Sequence, residues 1–423
     1  MFVLIEALNF RCLRYIRQPL GPLHVLVGPN ASGKTTFLDL FGFLSDFVAE
    51  GLAEAIAKRT HNLRDLLWAQ AGDRFELAVE AAVPPERVRM LPDPTPGYFR
   101  YEVVIGIDPE TKENSILYEI GSLKKHAPNK CEGSLELFPR SQIPPKTILE
   151  HPKHKREGSR RVFTKKPGQH DNYYPETRSD SGSGGWVPTF RLGPQRSTLA
   201  NLPEDESRFP VSTWFKEQLT RGVERLVLNS LLIRRASPPG QVRGFKSDGS
   251  NLPWVIHGLE NGSKERKAAW IAHLRTALPD LEDIETRERA EDRHRYLVLK
   301  YREGIKVPSW MASDGTLRLL ALTLPAYLPG FTGVYLIEEP ENGIHPRAVQ
   351  TMFDSLSSVY GAQMLLATHS PIILSIVDAQ KVLCFAKTPE GATDIVAGHR
   401  HPRLKEWRGE ENLGVLFAGG VLD

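Results

Sequence analysis

The stretch GPNASGKTT, Gly28 to Thr36, constrains the fold more than any other part of this 423-residue chain. It matches the pattern G-x-x-x-x-G-K-[ST], and it lies between the short apolar run HVLV and a segment with helical patterning. In such a loop, glycines let consecutive backbone N–H groups point at phosphate oxygens, and the helix start adds partial positive charge. Lys34 is predicted to reach the β- and γ-phosphates, and Thr35 to ligate Mg²⁺. The predicted nucleotide-binding residues here are Gly28, Pro29, Asn30, Ala31, Ser32, Gly33, Lys34, Thr35 and Thr36.

Two later apolar runs end in polar side chains. The run GVYLIEEPENGIHP ends a predicted strand at Glu338 and Glu339. Open α/β sheets bind ligands at the carboxyl ends of their strands, so Glu338 is predicted to hold Mg²⁺ directly or through water. Glu339 would orient or deprotonate an attacking water. The run MLLATHSPIIL ends at His369, a candidate partner for the γ-phosphate or for that water. Solvated acids and a structural histidine at strand ends are the alternatives.

A second anion-binding turn precedes a helical run in MASDGTLRLLAL, Met311 to Leu322. Ser313 can donate a hydroxyl hydrogen bond, Gly315 presents no obstructing side chain, and the helix start favours negative charge. An ordinary helix cap is the alternative interpretation of the same turn. A chain that already has a phosphate loop does not need a second one for the same phosphates.

Together these motifs resemble those of ABC-type ATPases, in the RecF/SMC-like and OLD-like soluble branch that includes AAA family ATPases of phage-defence systems. The stretches EALNFRCLRYI and SDGTLRLLAL are also similar to that branch. The resemblance implies an α/β fold of the P-loop NTPase class, an ABC-type ATPase head with a mixed sheet, a helical lobe and a long inserted arm. The motifs occur in the family's order, at Gly28–Thr36, Ser313–Thr316, Leu336–Glu339 and Thr368–Ser370.

The resemblance also implies how the second turn is used. In that family it is the signature, which caps the γ-phosphate of ATP bound to the other subunit, so that a homodimer encloses two ATP molecules. The residues that match it are Ser313, Asp314, Gly315 and Thr316.

Further roles follow from the same resemblance. ATP and Mg²⁺ are the expected cofactors, and Lys34, Glu339 and His369 are the expected catalytic residues. Gln70 is the candidate for a glutamine that links magnesium to lobe movement, and Asn342 and His345 are candidates for the dimer interface.

The sequence departs from the family pattern at three positions. Glu338 stands where the family has Asp, Ala312 where the signature opens with Leu, and Asp314 where the signature has its first Gly.

Composition divides the chain into segments. Pro, Gly, Ser and basic residues dominate from about 120 to 210, where hydrophobic periodicity is lost, so this segment is predicted to be a basic, partly flexible insertion. The predicted division is an N-terminal lobe with the phosphate loop (1–119), the insertion (120–210), a helical lobe (211–300), a C-terminal ATPase lobe (301–398), and a tail that could dock a partner (399–423).

The insertion contains a strongly basic stretch, Lys146 to Lys166, with eight Lys or Arg against two Glu. Such a stretch is a candidate for contact with a DNA or RNA backbone, and a solvated loop is the alternative. The candidate nucleic-acid residues are Lys153, Lys155, Arg156, Arg160, Arg161, Lys165 and Lys166.

Bulk properties narrow the setting. The net charge is only +3, and the three cysteines lack metal-type spacing. No apolar run approaches the roughly 20 residues that cross a bilayer. We therefore predict a cytoplasmic protein with no membrane partner.

These observations predict an ATP-hydrolysing, ATP-dimerised ABC-type ATPase, with slow turnover allowed. It would act as a sensor or clamp on nucleic acid in DNA repair or antiphage defence, as a homodimer or higher oligomer. No Asp-x-Asp pair follows His369, so we expect it to regulate a separately encoded nuclease or toxin. The alternatives are an ATP-binding scaffold with little hydrolysis and the ATPase subunit of a transporter. The long distance in sequence from Lys34 to Ser313 argues against the transporter.

Overall fold

The computed structural model describes residues 1–128, 137–150, 158–177, 189–241 and 244–404. Its strands are β1 (Phe2–Phe10), β2 (Leu13–Pro19), β3 (Leu23–Val27), β4 (Arg74–Ala82), β5 (Tyr98–Ile107), β6 (Asn114–Lys124), β7 (Ser159–Lys165), β8 (Asp171–Tyr173), β9 (Thr189–Phe190), β10 (Val223–Leu226), β11 (Leu281–Glu288), β12 (Arg295–Tyr301), β13 (Lys306–Pro308), β14 (Val334–Glu338), β15 (Gln363–Ala367), β16 (Val382–Lys387) and β17 (Thr393–Ala397). Its helices are α1 (Lys34–Glu50), α2 (Leu52–Ala57), α3 (Pro85–Val88), α4 (Pro210–Thr220), α5 (Ser230–Ile233), α6 (Leu252–Gly262), α7 (Lys264–Leu274), α8 (Asp314–Thr323), α9 (Pro346–Ser357) and α10 (Pro371–Ile376).

The central sheet has the strand order β10-β14-β15-β3-β16-β17. Strands β10, β14, β15, β3 and β16 are parallel, and β17 is antiparallel to β16, so the sheet is mixed as predicted. The inner strands are continuous apolar runs, which is typical of parallel strands covered on both faces. Because these strands are parallel, their carboxyl ends meet at one edge of the sheet.

A second, antiparallel sheet has the order β2-β1-β4-β5-β6-β7-β8-β9. Helix α1 packs between it and the central sheet. The ring of Phe41 in α1 lies 5.4 Å from that of Phe2 in β1, and the ring of Phe37 lies 5.5 Å from that of Phe385 in β16. The helix that follows the phosphate loop is therefore fixed from both sides by aromatic packing.

The two faces of the central sheet belong to different hydrophobic clusters. Leu26 and Leu336 lie in the cluster that contains α1 and the antiparallel sheet. Val25 and Ile337, their strand neighbours, lie in the cluster that contains α6 to α10. Since successive residues of a strand point to opposite faces, α1 and α8 are on opposite sides of the central sheet.

The segment 120–210 differs from the prediction of a flexible insertion. Its described residues extend β6 and add β7 to β9 to the antiparallel sheet, and Phe163 and Tyr173 are fully buried in the main hydrophobic cluster. These strands are short and near a sheet edge, so they give little periodic signal. The predicted helical lobe, 211–300, likewise includes β10 of the central sheet and β11 and β12 of a small antiparallel sheet with β13.

Within the described ranges, no helix combines the length and apolar composition that a membrane span requires. The predicted docking tail lies outside the described residues from 405 onward.

Candidate nucleotide site

The phosphate loop leaves β3 and enters α1 through two glycines with positive φ. Gly28 has φ 142° and Gly33 has φ 107°. A Cβ atom at Gly28 would overlap the carbonyl oxygen of Phe385, and one at Gly33 would overlap the hydroxyl of Thr393. Both positions therefore require glycine for backbone conformation and for space.

Lys34 lies inside the loop that it follows. Its side-chain Nζ donates to the carbonyl oxygens of Gly28 at 2.7 Å and Pro29 at 2.8 Å, and the residue is only 8% exposed. Carbonyl oxygens partly compensate the ammonium for lost water. This arrangement holds a positive charge at the centre of the loop, where an anion would bind.

A residue that the sequence did not indicate also holds the loop. Thr393, at the start of β17, donates from Oγ1 to the carbonyl of Ser32 at 2.8 Å. Its backbone N–H donates to the carbonyl of Cys12 at 2.9 Å, and the side chain is buried. Thr393 thus joins the phosphate loop to the turn between β1 and β2. No motif marks it, because the contact depends on β17 pairing with β16.

The carboxyl end of β14 meets the start of α1. The hydroxyl of Thr35 donates to Oε2 of Glu338 over 2.5 Å. Arg225, on the neighbouring strand β10, donates to Oε1 of the same carboxylate at 2.7 Å. A hydroxyl and a carboxylate side by side form an oxygen donor set that suits Mg²⁺, which binds through few protein ligands and keeps several waters. The chemistry of these residues therefore fits the predicted metal, even with Glu in place of the family's Asp.

Glu339 occupies an exposed turn directly after β14. Its φ is +46°, which is unusual for a residue with a side chain. Its backbone N–H donates to the carbonyl of Ala367 in β15 at 2.8 Å, and its carboxylate accepts a hydrogen bond from the side-chain amide of Asn342. The backbone hydrogen bond and the amide together restrain the position of Glu339.

A third acid in the same segment organises the end of β15. Oε1 of Glu341 accepts from the hydroxyl of Thr368 at 2.6 Å and from the backbone N–H of His369 at 3.0 Å. Its Oε2 is buried and has no hydrogen-bond partner among the described residues. Glu341 therefore ties the segment after β14 to the polar triplet after β15. No sequence motif distinguishes Glu341 from the neighbouring acids in EEPEN.

The signature turn caps α8. The side chain of Ser313 accepts from the backbone N–H of Thr316 at 3.1 Å and shares a 2.8 Å hydrogen bond with its hydroxyl. Asp314 pairs with Arg234 at 2.7 Å. A Cβ at Gly315 would overlap the carbonyl oxygen of Gly343, in the segment after β14. The turn is thus a true helix cap, and Gly315 is needed for close packing against that segment.

The signature turn and the phosphate loop lead into helices that lie on opposite faces of the central sheet. The side chain of Ser313 is hydrogen-bonded to Thr316 within its own turn. Exposed apolar side chains precede Ser313 in the chain and occur on the adjoining α5. Met311 is 70% exposed and Leu231, in the adjoining α5, is 68% exposed.

The structure brings together two groups at the edge of the central sheet, Thr35 with Glu338 and Glu341 with His369, and the role of Gln70 stays a prediction. Gln70 lies in a 3-10 turn, Trp68–Gln70, and its side-chain amide donates to Asp65 at 3.3 Å. In the described part of the chain, that hydrogen bond does not involve the predicted metal ligands.

The four described residues of the basic set predicted to contact nucleic acid have different surroundings. Lys165 is buried and paired with Asp171 at 2.6 Å, which contradicts its predicted role because a buried cation cannot contact a phosphate backbone. Arg160 donates to the carbonyls of Glu176 and Pro175. Arg161 is exposed, and Lys166 lies 5.9 Å from the ring centre of Tyr118. The remaining candidates lie outside the described residues: Lys153, Lys155 and Arg156.

The mixed sheet, the phosphate loop between β3 and α1 and the acids after β14 define an α/β P-loop ATPase of the ABC type. The family model described as "AAA domain, putative AbiEii toxin, Type IV TA system" matches residues 23–106 and 134–375. This is more than half of the chain, which therefore belongs to that family. The predicted fold class and the resemblance to OLD-like and SMC-like ATPases are confirmed.

Two kinds of relative are similar to the chain. A stretch of 34 residues, 8% of the chain, is 59% identical to the OLD nuclease of Thermus scotoductus and spans 6% of that protein. Among solved structures, the SMC head bound to the C-winged-helix domain of ScpA is 13% identical to this chain. The superposition covers 93% of this chain and 97% of the SMC head chain, with a TM-score of 0.49. The SMC head with an extended coiled coil bound to the C-terminal domain of ScpA, from Pyrococcus furiosus, is 12% identical. That superposition covers 93% of this chain and 95% of the SMC head chain, with a TM-score of 0.48.

Proposed function

We propose that this chain binds ATP with Mg²⁺, dimerises around it and hydrolyses it as the switch of a nucleic-acid-directed system. The main support is the edge of the central sheet. It carries the buried ammonium of Lys34, the hydrogen-bonded pair of Thr35 and Glu338, and the carboxylate of Glu339. Few arrangements other than a nucleoside triphosphate site need all three.

Each group has a distinct task in this proposal. The loop N–H groups and Lys34 bind the phosphates, and Thr35 with Glu338 hold Mg²⁺, which neutralises phosphate charge when bound. Glu339 accepts a proton from the water that attacks the γ-phosphorus, and Asn342 keeps its carboxylate in position. Arg225 partly neutralises Glu338 and fixes its orientation.

The second half of each site comes from a second copy in this proposal. The exposed hydroxyl of Ser313 and the start of α8 would approach the γ-phosphate held by the partner's loop. The apolar surface at Met311 and Leu231 supports this arrangement, because a dimer would remove it from water. A two-fold axis then makes two equal sites.

A nucleic-acid target and a separate effector, in antiphage defence or repair, complete the proposal. The name of the OLD nuclease relative and the toxin–antitoxin description of the family support them. After the loss of Lys165 from the candidate set, the basic side chains to test are Lys153, Lys155, Arg156 and Arg161. Replacing them with glutamine should flatten the salt dependence of binding by roughly 0.9 log units per lost phosphate contact. Unchanged binding would assign this segment to solvent.

The proposed activity is tested with Glu339→Gln and, as a matched control, Glu113→Gln, an exposed acid before β6. Mass by light scattering and phosphate release are measured with ATP–Mg²⁺, with ADP and without nucleotide. Glu339→Gln should double in mass with ATP and release almost no phosphate, whereas the control should behave as wild type. A mass that never changes, together with undiminished phosphate release, would contradict the proposal.

A further inference from the structure

A large cavity lies beside β10, away from the nucleotide edge. It has a volume of about 840 Å³ and is bounded by β10, α6 and the segment after α8 that contains Leu328 and Phe331. This volume is within the range of pockets that enclose small organic molecules. Its walls are mainly apolar and include four aromatic side chains, Phe245, Trp254, Phe331 and Tyr335.

The wall of the cavity includes one carboxylate without a partner. The side-chain carboxylate of Glu224, on β10, makes no hydrogen bond or ion pair with any described residue. It lies close enough to Tyr335, its neighbour on β14, for its charge to help raise the pKa of that phenol. Burial alone raises the pKa of Glu224 to about 7, because few surrounding groups stabilise the charged form.

An unpaired, half-buried carboxylate is costly to the fold unless a cation joins it. Aromatic walls add to the attraction for a cation with an apolar body, since ring faces are negative. Among the described residues that line the cavity, the other charged one is Arg266, which is exposed and therefore solvated. Charge and shape therefore favour an amine whose ammonium reaches Glu224 while its apolar part fills the cavity.

We propose that this cavity is a binding site for a small organic amine, with Glu224 as the partner of its ammonium group. The site is separate from the phosphate loop and does not depend on nucleotide. Strand β10 links it to the nucleotide edge, because the next residue, Arg225, pairs with Glu338.

Three probes with one ring system test the charge preference. Tryptamine is the cation, tryptophol its neutral counterpart and indole-3-acetate the anion, and each is titrated into the full chain by calorimetry at pH 8. Tryptamine should bind about tenfold or more tightly than tryptophol, the ratio expected for one charge-assisted hydrogen bond, and indole-3-acetate should bind most weakly.

Two pairs of variants locate the binding. Glu224→Gln is isosteric and should remove the preference for tryptamine, whereas Glu217→Gln, an exposed acid on α4, should keep it. Gly258 lines the cavity, and a Cβ there meets no atom within 4 Å. Gly258→Trp should therefore abolish binding of both tryptamine and tryptophol by filling the space, whereas Gly258→Ala should leave it nearly unchanged.

The proposal fails if the three probes bind equally, if the anion binds best, or if tryptamine does not bind at millimolar concentration. It also fails if Glu224→Gln and Gly258→Trp bind tryptamine as their controls do. These results are independent of ATP, so they leave the proposed nucleotide function untouched in either case.

Discussion

Replacing Thr393 with valine removes the hydroxyl that holds the phosphate loop and keeps the shape of the side chain. The carbonyl of Ser32 then loses its 2.8 Å hydrogen bond at a buried position. Leaving a buried acceptor unsatisfied costs about 1–3 kcal/mol, so the free energy of unfolding should fall by that amount. Since the lost bond restrains the loop that binds ATP, part of this energy should also appear as weaker ATP binding, by roughly tenfold.

The control for this change is Thr393→Ser, which keeps the hydroxyl and loses only a methyl group. Urea unfolding without nucleotide gives the stability difference, and titration with a fluorescent ATP analogue gives the affinity difference. Valine should be worse than serine in both measurements. Equal ATP affinity of the two variants would refute the view that Thr393 organises the loop.

Three further changes test buried ionisable groups. Asp171→Asn leaves the Lys165 ammonium buried without its counter-charge, so the free energy of unfolding measured in urea should fall by about 3–5 kcal/mol. The control, Arg161→Gln, changes an exposed side chain and should stay within about 0.5 kcal/mol of wild type. Burial lowers the pKa of His24 to about 4. Between about pH 6.5 and 4 the unfolded chain therefore binds more protons than the folded chain, so the free energy of unfolding should fall as the pH drops through this range. His24→Asn should flatten this slope in unfolding measurements at several pH values. Burial raises the pKa of Glu224 to about 7. The folded chain therefore keeps this proton to higher pH than the unfolded chain, so the free energy of unfolding should fall as the pH rises from about 4.5 to 7. Glu224→Gln should be more stable than wild type at pH 8 but not at pH 4.

The motifs were predictable because each one lies within a single short stretch. The phosphate loop, the acids after β14 and the cap of α8 depend on local backbone geometry and on neighbours in sequence. The mixed sheet followed from apolar runs of strand length between helical segments, together with the family resemblance.

Contacts between distant strands could not be predicted in this way. Arg225 reaches Glu338 because β10 pairs with β14, more than 100 residues later, and Thr393 reaches Ser32 because β17 closes the opposite edge of the sheet. Neither pairing has a local signal.

The basic segment shows the same limit from the other direction. Lys165 and Lys166 are equivalent in composition, yet the structure buries one against Asp171 and leaves the other beside the ring of Tyr118. Lys165 is the last residue of β7 and Lys166 follows it, and composition does not show which of them the fold buries, so a count of basic residues overstates the surface available to a phosphate backbone.

In the proposed dimer, each ATP is bound by Lys34 of one copy and Ser313 of the other. Mixing two inactive variants shows whether the site is shared in this way. Lys34→Ala removes the loop ammonium, and Ser313→Asp keeps a good helix cap but places a negative charge near the γ-phosphate, so each variant alone should be inactive. In mixed dimers one of the two sites has both native residues. Equal amounts of the two variants should therefore recover about a quarter of the wild-type phosphate release per chain, because about half of the dimers are mixed and each has one intact site. Phosphate release that stays at the level of the separate variants after mixing would contradict a site shared between two copies.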